Sequence, residues 1–338
     1  MLYITTRDKH DVHTANKTLI SNFSSDGGLY LPRTMPHFSE QEILDLRTKS
    51  FNEIFATVLN CFFSASSTER DLDLHIGRVP VKVIPVNRKI LVAQAWHNPE
   101  HMYSYIEDNI YNKLCKGGSE TEMPTQWLKI VVRIALLFSV YGQLLQTQQL
   151  HTWQTLDVAI NADDHISAIA VYYAKQIGLP IGKLICGCDE TGLLWDFVHL
   201  GEISTASASN GLLQTLERLI HATFDATEVE RFLQATQKRC TYTLPENADA
   251  GLTESIFCAV VGKSRVADVI NSMYRTDDFL LDTCAARSFG AVQDYRSKSG
   301  SSNLTLLFSD NHPILEADCI LRATGLTKSA FLNKCQSI

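Results

Sequence analysis

The chain has 338 residues, of which 45% are apolar and 20% charged, and its formal net charge is −7. This composition is typical of a globular protein with a large core, and the negative charge argues against a nucleic-acid footprint, which needs clustered Lys and Arg. The most apolar run, 130–141, is interrupted by Arg133 and is shorter than the roughly 20 apolar residues of a membrane span. We therefore expect a buried helix there and no membrane contact.

The N-terminus and the cysteines indicate the compartment. The first ten residues contain no apolar signal core, and the nine cysteines have scattered spacings that match neither a disulfide framework nor a zinc site. Reduced thiols in the cytoplasm fit this pattern best.

The first 79 residues are predicted to be largely helical and to contribute packing and an entry strand. Ser39 is a candidate N-cap for a helix over 41–49, and Ser50 precedes a helix-like apolar run over 51–63. The next region contains two segments, 81–86 and 90–95, separated by a turn. Their apolar residues alternate with polar ones or follow one another directly, which predicts a hairpin or two short strands.

A loop at 116–119 then precedes a long helical pattern from Thr125 to Gln146. The clearest local structure follows it. Residues 156–160 have the pattern of an apolar strand, 166–176 have helical spacing, and 183–188 have the pattern of a second strand. This order predicts a β-α-β crossover and hence a parallel sheet covered by helices. Cys186 and Cys188 have strand spacing, which predicts two buried thiols on one face of that sheet.

Several motifs resemble those of one enzyme family. The segments LYITTRD and SSDGGLYLP near the N-terminus, AVYYAKQIGLPIGKLICGCDE at 170–190, LERL at 216–219 and LFSDNHP at 307–313 stand in this order. They resemble LYxSTRG, SxDGGLYVP, AGYYAKKMGLPI with IVATNEND, FERLL and LxTAHPAKF of threonine synthase, a pyridoxal-phosphate (PLP) enzyme of fold type II. The resemblance runs from residue 2 to about 315. It implies a tryptophan-synthase-β-like α/β architecture, partly truncated, with a helical N-terminal threonine synthase domain over 1–79 and an α/β body over 80–338.

The departures from the family fall where its chemistry occurs. The family lysine that carries PLP as a Schiff base lies in HGPTxAFKD, and the similar segment His97 to Ser104 puts Ser104 at that position. A hydroxyl cannot form an imine with an aldehyde. The family also has a long lobe with an SGDTG loop after this lysine, whereas 104–123 leaves room for one helix and a loop. The cofactor lobe is therefore expected to be much shortened.

The family's phosphate loop, PTGNFGN, corresponds to 161–167, and its glycines are absent here. Asp163 and Asp164 stand instead beside the positive end of the next helix, where we expect them to cap its free N–H groups and repel a phosphate dianion. We predict no metal site, although the neighbouring His165 leaves a divalent-metal interpretation open. Asp310 aligns with the threonine of TAHP and could in principle pair with a pyridine nitrogen.

The residual cleft is predicted to contain no catalytic and no cofactor-binding residue. Its members are His97, Asn98, Ser104, Asp163, Asp164, His165, Asp310 and His312.

The resemblance and its departures together predict a threonine synthase-like pseudoenzyme that binds a protein partner or a small phospho-amino-acid-like ligand. No cofactor is expected; PLP would bind only if Lys113 or Lys116 replaced the missing lysine. One alternative is a phospho-lyase acting on O-phospho-L-homoserine or a related phospho-amino acid with relocated site residues. Another is a structural subunit of an intact threonine synthase, and a homo-oligomer is left open.

Overall fold

The computed structural model describes residues 1–63, 81–94, 102–115, 123–151, 153–224, 226–245 and 249–337. The predictions for the loop at 116–119 and for His97, Asn98 and Lys116 lie outside these ranges. Ser104 lies inside them by its backbone alone, since the side chains of 102–105 are not described.

The described residues form eleven strands and fourteen α-helices, with two short 3-10 helices at Leu46–Thr48 and Pro313–Glu316. The strands are β1 (Leu2–Thr5), β2 (His13–Thr14), β3 (Tyr30–Pro32), β4 (Lys82–Asn87), β5 (Ile90–Gln94), β6 (Leu156–Asn161), β7 (Ile181–Cys188), β8 (Glu202–Ser204), β9 (Thr241–Thr243), β10 (Ile256–Val260) and β11 (Leu304–Ser309). The helices are α1 (Ala15–Ile20), α2 (Glu40–Asp45), α3 (Phe51–Phe63), α4 (Met102–Leu114), α5 (Gln126–Gln146), α6 (His165–Gln176), α7 (Leu193–His199), α8 (Asn210–Thr223), α9 (Ala226–Lys238), α10 (Asp249–Ser255), α11 (Lys263–Asp277), α12 (Thr283–Ser299), α13 (Ala317–Thr324) and α14 (Lys328–Ser337).

A six-stranded sheet in the order β10-β7-β6-β11-β5-β4 forms the centre of the body. All neighbouring strands are parallel except β4 and β5, which form the predicted antiparallel hairpin. The predicted crossover β6-α6-β7 is confirmed, and Gly178 ends its helix with φ = +109°. A Cβ atom on Gly178 would lie 2.5 Å from the carbonyl oxygen of Phe38, so this position accepts no larger residue without a backbone shift.

Local capping explains where the predicted helices begin. Ser39 forms a capping box with Glu42 at the start of α2, which ends earlier than predicted and continues as a 3-10 turn. Helix α3 has the bounds that the apolar run predicts. Helix α5 begins after Thr125, whose hydroxyl accepts a hydrogen bond from the backbone N–H of Leu128.

Helix α5 is the one helix in the described ranges that is long and apolar enough to cross a membrane. However, 78% of its most apolar window is buried inside the protein. It packs against α3 on one side and α6 on the other, so it has the position of a core helix. The prediction of a buried helix around Arg133 is confirmed.

Two apolar clusters cover the two faces of the central sheet. One is shared by the N-terminal region, α5, α6 and the sheet. It is a single cluster in space, and its members range along the sequence from Tyr3 to Leu306. The other lies between the sheet and α11, α12 and α13. Cys186 and Cys188 are buried in the first cluster, as predicted. The carboxyl ends of β5, β6 and β11 therefore meet at one edge, between helices of both layers.

Candidate functional site

The candidate site lies at the carboxyl edge of the parallel strands, where β6 leads into α6 and β11 precedes the turn to Pro313. Ligands of open α/β sheets bind at such edges. Helix α4 follows β5 after a gap in the described residues, and Ser104 belongs to its first turn.

The two aspartates after β6 have different roles. Asp164 is the N-cap of α6, because its Oδ1 accepts a hydrogen bond from the backbone N–H of Ser167 at 3.0 Å. The side chain of Asp163 is 65% exposed and lies 3.8 Å from Nη1 of Arg287. The prediction that both aspartates cap the helix is thus right for Asp164 and wrong for Asp163, since a helix has one N-cap position and Asp163 turns towards Arg287 instead.

Arg133 of α5 neutralises the other carboxylate. Its Nη1 lies 3.5 Å from Oδ2 of Asp164 and donates to Oγ of Ser167 at 3.1 Å. Its Nε donates to Oε1 of Glu107 on α4 at 3.3 Å. Burial raises the pKa of Glu107, and the charges of Arg133 and Lys129 oppose that rise. The two arginines and the loop carboxylates are therefore already paired inside the fold.

Arg287 joins the same edge from α12. Its Nη1 donates to Oδ1 of Asn161 at 3.4 Å, and its buried Nε has no hydrogen-bond partner among the described residues. Asn161 in turn donates to Sγ of Cys284 at 3.4 Å. Burial raises the pKa of Cys284 to about 12, so its thiol stays protonated at neutral pH and is a poor nucleophile.

Two further carboxyl groups lie at this edge with perturbed protonation. Asp282 is fully buried as the N-cap of α12, where it accepts hydrogen bonds from the backbone N–H of Ala285 and from the hydroxyl of Ser309. Burial raises the pKa of Asp282 to about 7. Burial likewise raises the pKa of Asp310 to about 6, and the charge of Asp164 acts in the same direction. The buried Oδ1 of Asp310 has no hydrogen-bond partner in the described ranges.

The two described histidines of the predicted cleft, His165 and His312, each form local contacts. Nε2 of His165 lies 3.2 Å from Oγ of Ser209, and burial lowers the pKa of His165 so that the neutral ring is favoured. His312 caps the 3-10 helix, with its Nδ1 accepting from the backbone N–H of Ile314 at 3.1 Å. The structure thus brings Asp164 and Asp310 close enough to interact. His165 instead faces the start of α8, and His312 caps the 3-10 helix that follows it.

A cavity of about 190 Å³ opens beside the start of α6. Its lining contains no Lys or Arg and consists of Ala162, Asp163, His165, Cys188, Asp189, Thr191, Leu193, Leu194, Ser207, Ser209 and Leu212. Although burial opposes the shift, hydrogen bonds from Thr191 and Gly192 lower the pKa of Asp189. The cavity therefore presents two carboxylates and three hydroxyl groups.

These residues do not fit the phosphate of PLP. A phosphate at a helix start needs free N–H groups and positive charge, whereas Asp164 occupies the cap of α6 and Asp163 lines the adjoining cavity. The described residues contain no group of three or more His, Cys, Asp or Glu side chains that could hold a metal ion.

The sequence interpretation missed the loop's partners, Arg133 and Arg287, and it missed Glu107, the partner of Arg133. Arg133 carried a signal, since an arginine inside an apolar helix requires a buried acidic partner. Arg287 and Glu107 carried none, because only the fold brings α4 and α12 to the start of α6.

Comparisons with known proteins agree with this architecture. The family model described as Threonine synthase N terminus matches residues 2–79. Threonine synthase-like 1 of Pongo abelii is 23% identical over 168 residues, which is 46% of this chain and 23% of that relative. The chain therefore matches less than a quarter of that relative's length.

Solved structures resemble nearly the whole chain. PLP-bound threonine synthase from Brucella melitensis has a TM-score of 0.79 at 16% identity. The match covers 99% of this chain and 94% of the Brucella chain. Threonine synthase from yeast has the same TM-score at 14% identity, over 97% of this chain and 90% of its own. These likenesses confirm the fold type II architecture.

Proposed function

We propose that this chain, a member of the threonine synthase family by its N-terminal sequence and its fold, acts by binding and not by PLP-dependent turnover. The observation that carries the proposal is the start of α6, where Asp163 and Asp164 each face a guanidinium group. A phosphate placed there would have to displace both carboxylates from their partners.

The position of the family lysine supports the same proposal. Ser104 lies in the first turn of α4, and Lys113 comes nine residues later in the same helix. At a rise of about 1.5 Å per residue, Lys113 is displaced by roughly 13 Å along the helix axis. Its amine can therefore take the place of a lysine at 104 only if the whole helix shifts.

The occupant of the cleft is part of the proposal. Acidic and hydroxyl groups line the cavity beside α6, which favours a ligand without a phosphate over the phospho-amino-acid-like ligand that the resemblance implies. A protein partner remains the other proposed occupant. The described residues contain no disulfide bond, which supports the proposed cytoplasmic location.

The direct test is titration of the purified chain with PLP, followed by borohydride reduction and intact-mass measurement. We expect no stoichiometric adduct and no imine absorbance, because no lysine stands at position 104. A catalytically active threonine synthase treated in parallel provides the positive control. A stoichiometric adduct that maps to one lysine, and that disappears in Lys113→Arg or Lys116→Arg, would overturn the proposal.

A second measurement separates the proposal from the phospho-lyase alternative. The chain is incubated with O-phospho-L-homoserine, with and without PLP, and free phosphate is measured. We expect no release above the protein-free control. Release that depends on the chain would establish turnover, while co-purification with an intact threonine synthase would support the subunit alternative.

A further inference from the structure

A buried cation without a counterion lies away from the candidate site. Arg218 of α8 is 2% exposed, and its only described hydrogen bond is a long one, 3.4 Å from Nη1 to Oε1 of Gln126. Its buried Nε has no partner among the described residues. A buried guanidinium is costly unless it is paired and hydrogen-bonded, so this arginine requires an explanation.

A second unpaired donor stands beside it. The hydroxyl of Tyr173 on α6 is buried and has no hydrogen-bond partner in the described ranges. Tyr173 and Arg218 lie within electrostatic reach of each other, and helices α6 and α8 are in direct contact. Two buried donors without a described acceptor thus lie on helices that are in contact.

The nearest acidic group is already engaged. Glu217 is the described carboxylate that acts on Arg218, but its Oε1 accepts from the hydroxyl of Thr6 and from Nε of Arg7. Glu217 therefore forms its ion pair with Arg7. Arg218 has no ion-pair partner of its own among the described residues.

The start of α5 adds positive potential at the same place. Gln126, the partner of Arg218, is the first residue of this 21-residue helix, and the first turn contains no acidic residue. The N-terminus of an α-helix has a partial positive charge of about half an elementary charge. This partial charge adds to the positive potential at Arg218, and a bound anion would offset both.

We propose that Arg218, Tyr173 and the first turn of α5 form a buried binding site for a small inorganic monoanion of the halide class, such as chloride. Arg218 Nε and the Tyr173 hydroxyl donate the two hydrogen bonds that the fold leaves unused. A single charge matches the single uncompensated guanidinium, whereas a phosphate dianion would bury excess negative charge. The anion ties α8 and α6 to the start of α5, where Asn22 accepts a hydrogen bond from the backbone N–H of Gln126.

The test is thermal unfolding at constant ionic strength, with sodium gluconate replaced stepwise by sodium chloride. We expect the melting temperature to rise and saturate with chloride, because a ligand bound to the folded state alone stabilises it. Tyr173→Phe removes one donor and should weaken the apparent chloride affinity by about tenfold. Arg218→Met should abolish the chloride dependence and unfold in gluconate no earlier than the parent chain.

Tyr141→Phe is the matched control, because the hydroxyl of Tyr141 donates to the carbonyl oxygen of Gln154 at 3.3 Å and should leave the chloride dependence unchanged. If Arg218→Met fails to fold, Tyr173→Phe and a crystal grown in sodium bromide decide the matter. An anomalous peak at hydrogen-bond distance from Nε of Arg218 supports the site. A water at that place, or a parent chain whose melting temperature does not depend on chloride, overturns it.

Discussion

At the scale of single residues, the buried carboxyl group of Asp282 links protonation to folding. Burial raises its pKa to about 7, and the charges of Asp310 and Glu316 act in the same direction. The pKa in the folded state thus lies above the unfolded value of about 3.9. The folded state holds the proton more tightly, so this group lowers the stability as the pH rises from about 4 to 7, and the loss is complete above that range.

Replacing this carboxyl group should therefore stabilise the fold at alkaline pH. Asp282→Asn keeps an oxygen for the N-cap of α12 and a contact with Ser309 but removes the ionisable group. We expect the free energy of unfolding of the variant to exceed that of the parent by an amount that grows by about 1.4 kcal/mol per pH unit between pH 4 and 7. Urea unfolding at pH 4.5, 6 and 8 measures this difference.

The exposed Asp268 on α11 provides the control for that series. Asp268→Asn should leave the pH dependence of unfolding as in the parent chain, because folding does not remove this exposed carboxylate from water. Parallel curves for Asp282→Asn and the parent would show that the buried carboxyl group does not couple to folding.

Single residues also show how much of the candidate site was predictable. The sequence identified Asp163, Asp164 and Asp310, because each replaces a residue type that phosphate or cofactor chemistry requires. It did not predict that Arg133 pairs with Asp164 or that Arg287 pairs with Asp163, since these contacts join residues 31 and 124 positions apart in the chain. The perturbed pKa of Asp282 depends on burial by α12 and β11, which no local pattern indicates.

At the scale of elements, the start of α6 is where the two loop carboxylates can be compared. Asp164→Ala removes both the cap and one partner of Arg133 and should lower the free energy of unfolding by about 1–2 kcal/mol. Asp163→Ala, in the same loop, removes an exposed contact at 3.8 Å and should change it by less than about 0.5 kcal/mol. Urea unfolding at pH 7 compares the two variants. Equal losses would mean that the cap does not determine the stability of this turn.

The same scale separates predictable from unpredictable elements. Helix α3, helix α5 and the crossover β6-α6-β7 follow from apolar periodicity and caps, which are local signals. The three-stranded sheet β2-β1-β3 was not predicted beyond an entry strand. Its strands have two to four residues and pair Tyr3 with Pro32, so their pattern is too short to read and their partner lies too far along the chain.

At the scale of the whole molecule, the N-terminal region and the body share one apolar core. Helix α3 packs against α5, and the Tyr3 hydroxyl donates to the carbonyl oxygen of Phe62 while accepting from Nε1 of Trp127 at 3.2 Å. Residues on both sides of the predicted boundary at 79/80 thus depend on the same contacts. The boundary itself remains a prediction, but the shared core implies that the two parts unfold together.

A core substitution in α3 tests this coupling. Phe55 is fully buried, so Phe55→Ala should lower the free energy of unfolding by about 3–5 kcal/mol. Because the core is continuous, we expect one transition whose midpoint falls equally by far-UV circular dichroism and by tryptophan fluorescence. Asn52→Ala, at a partly exposed position of the same helix, should change the free energy of unfolding by less than about 0.5 kcal/mol by either probe. Two separated transitions in Phe55→Ala would show instead that the body keeps its fold after the N-terminal region has unfolded.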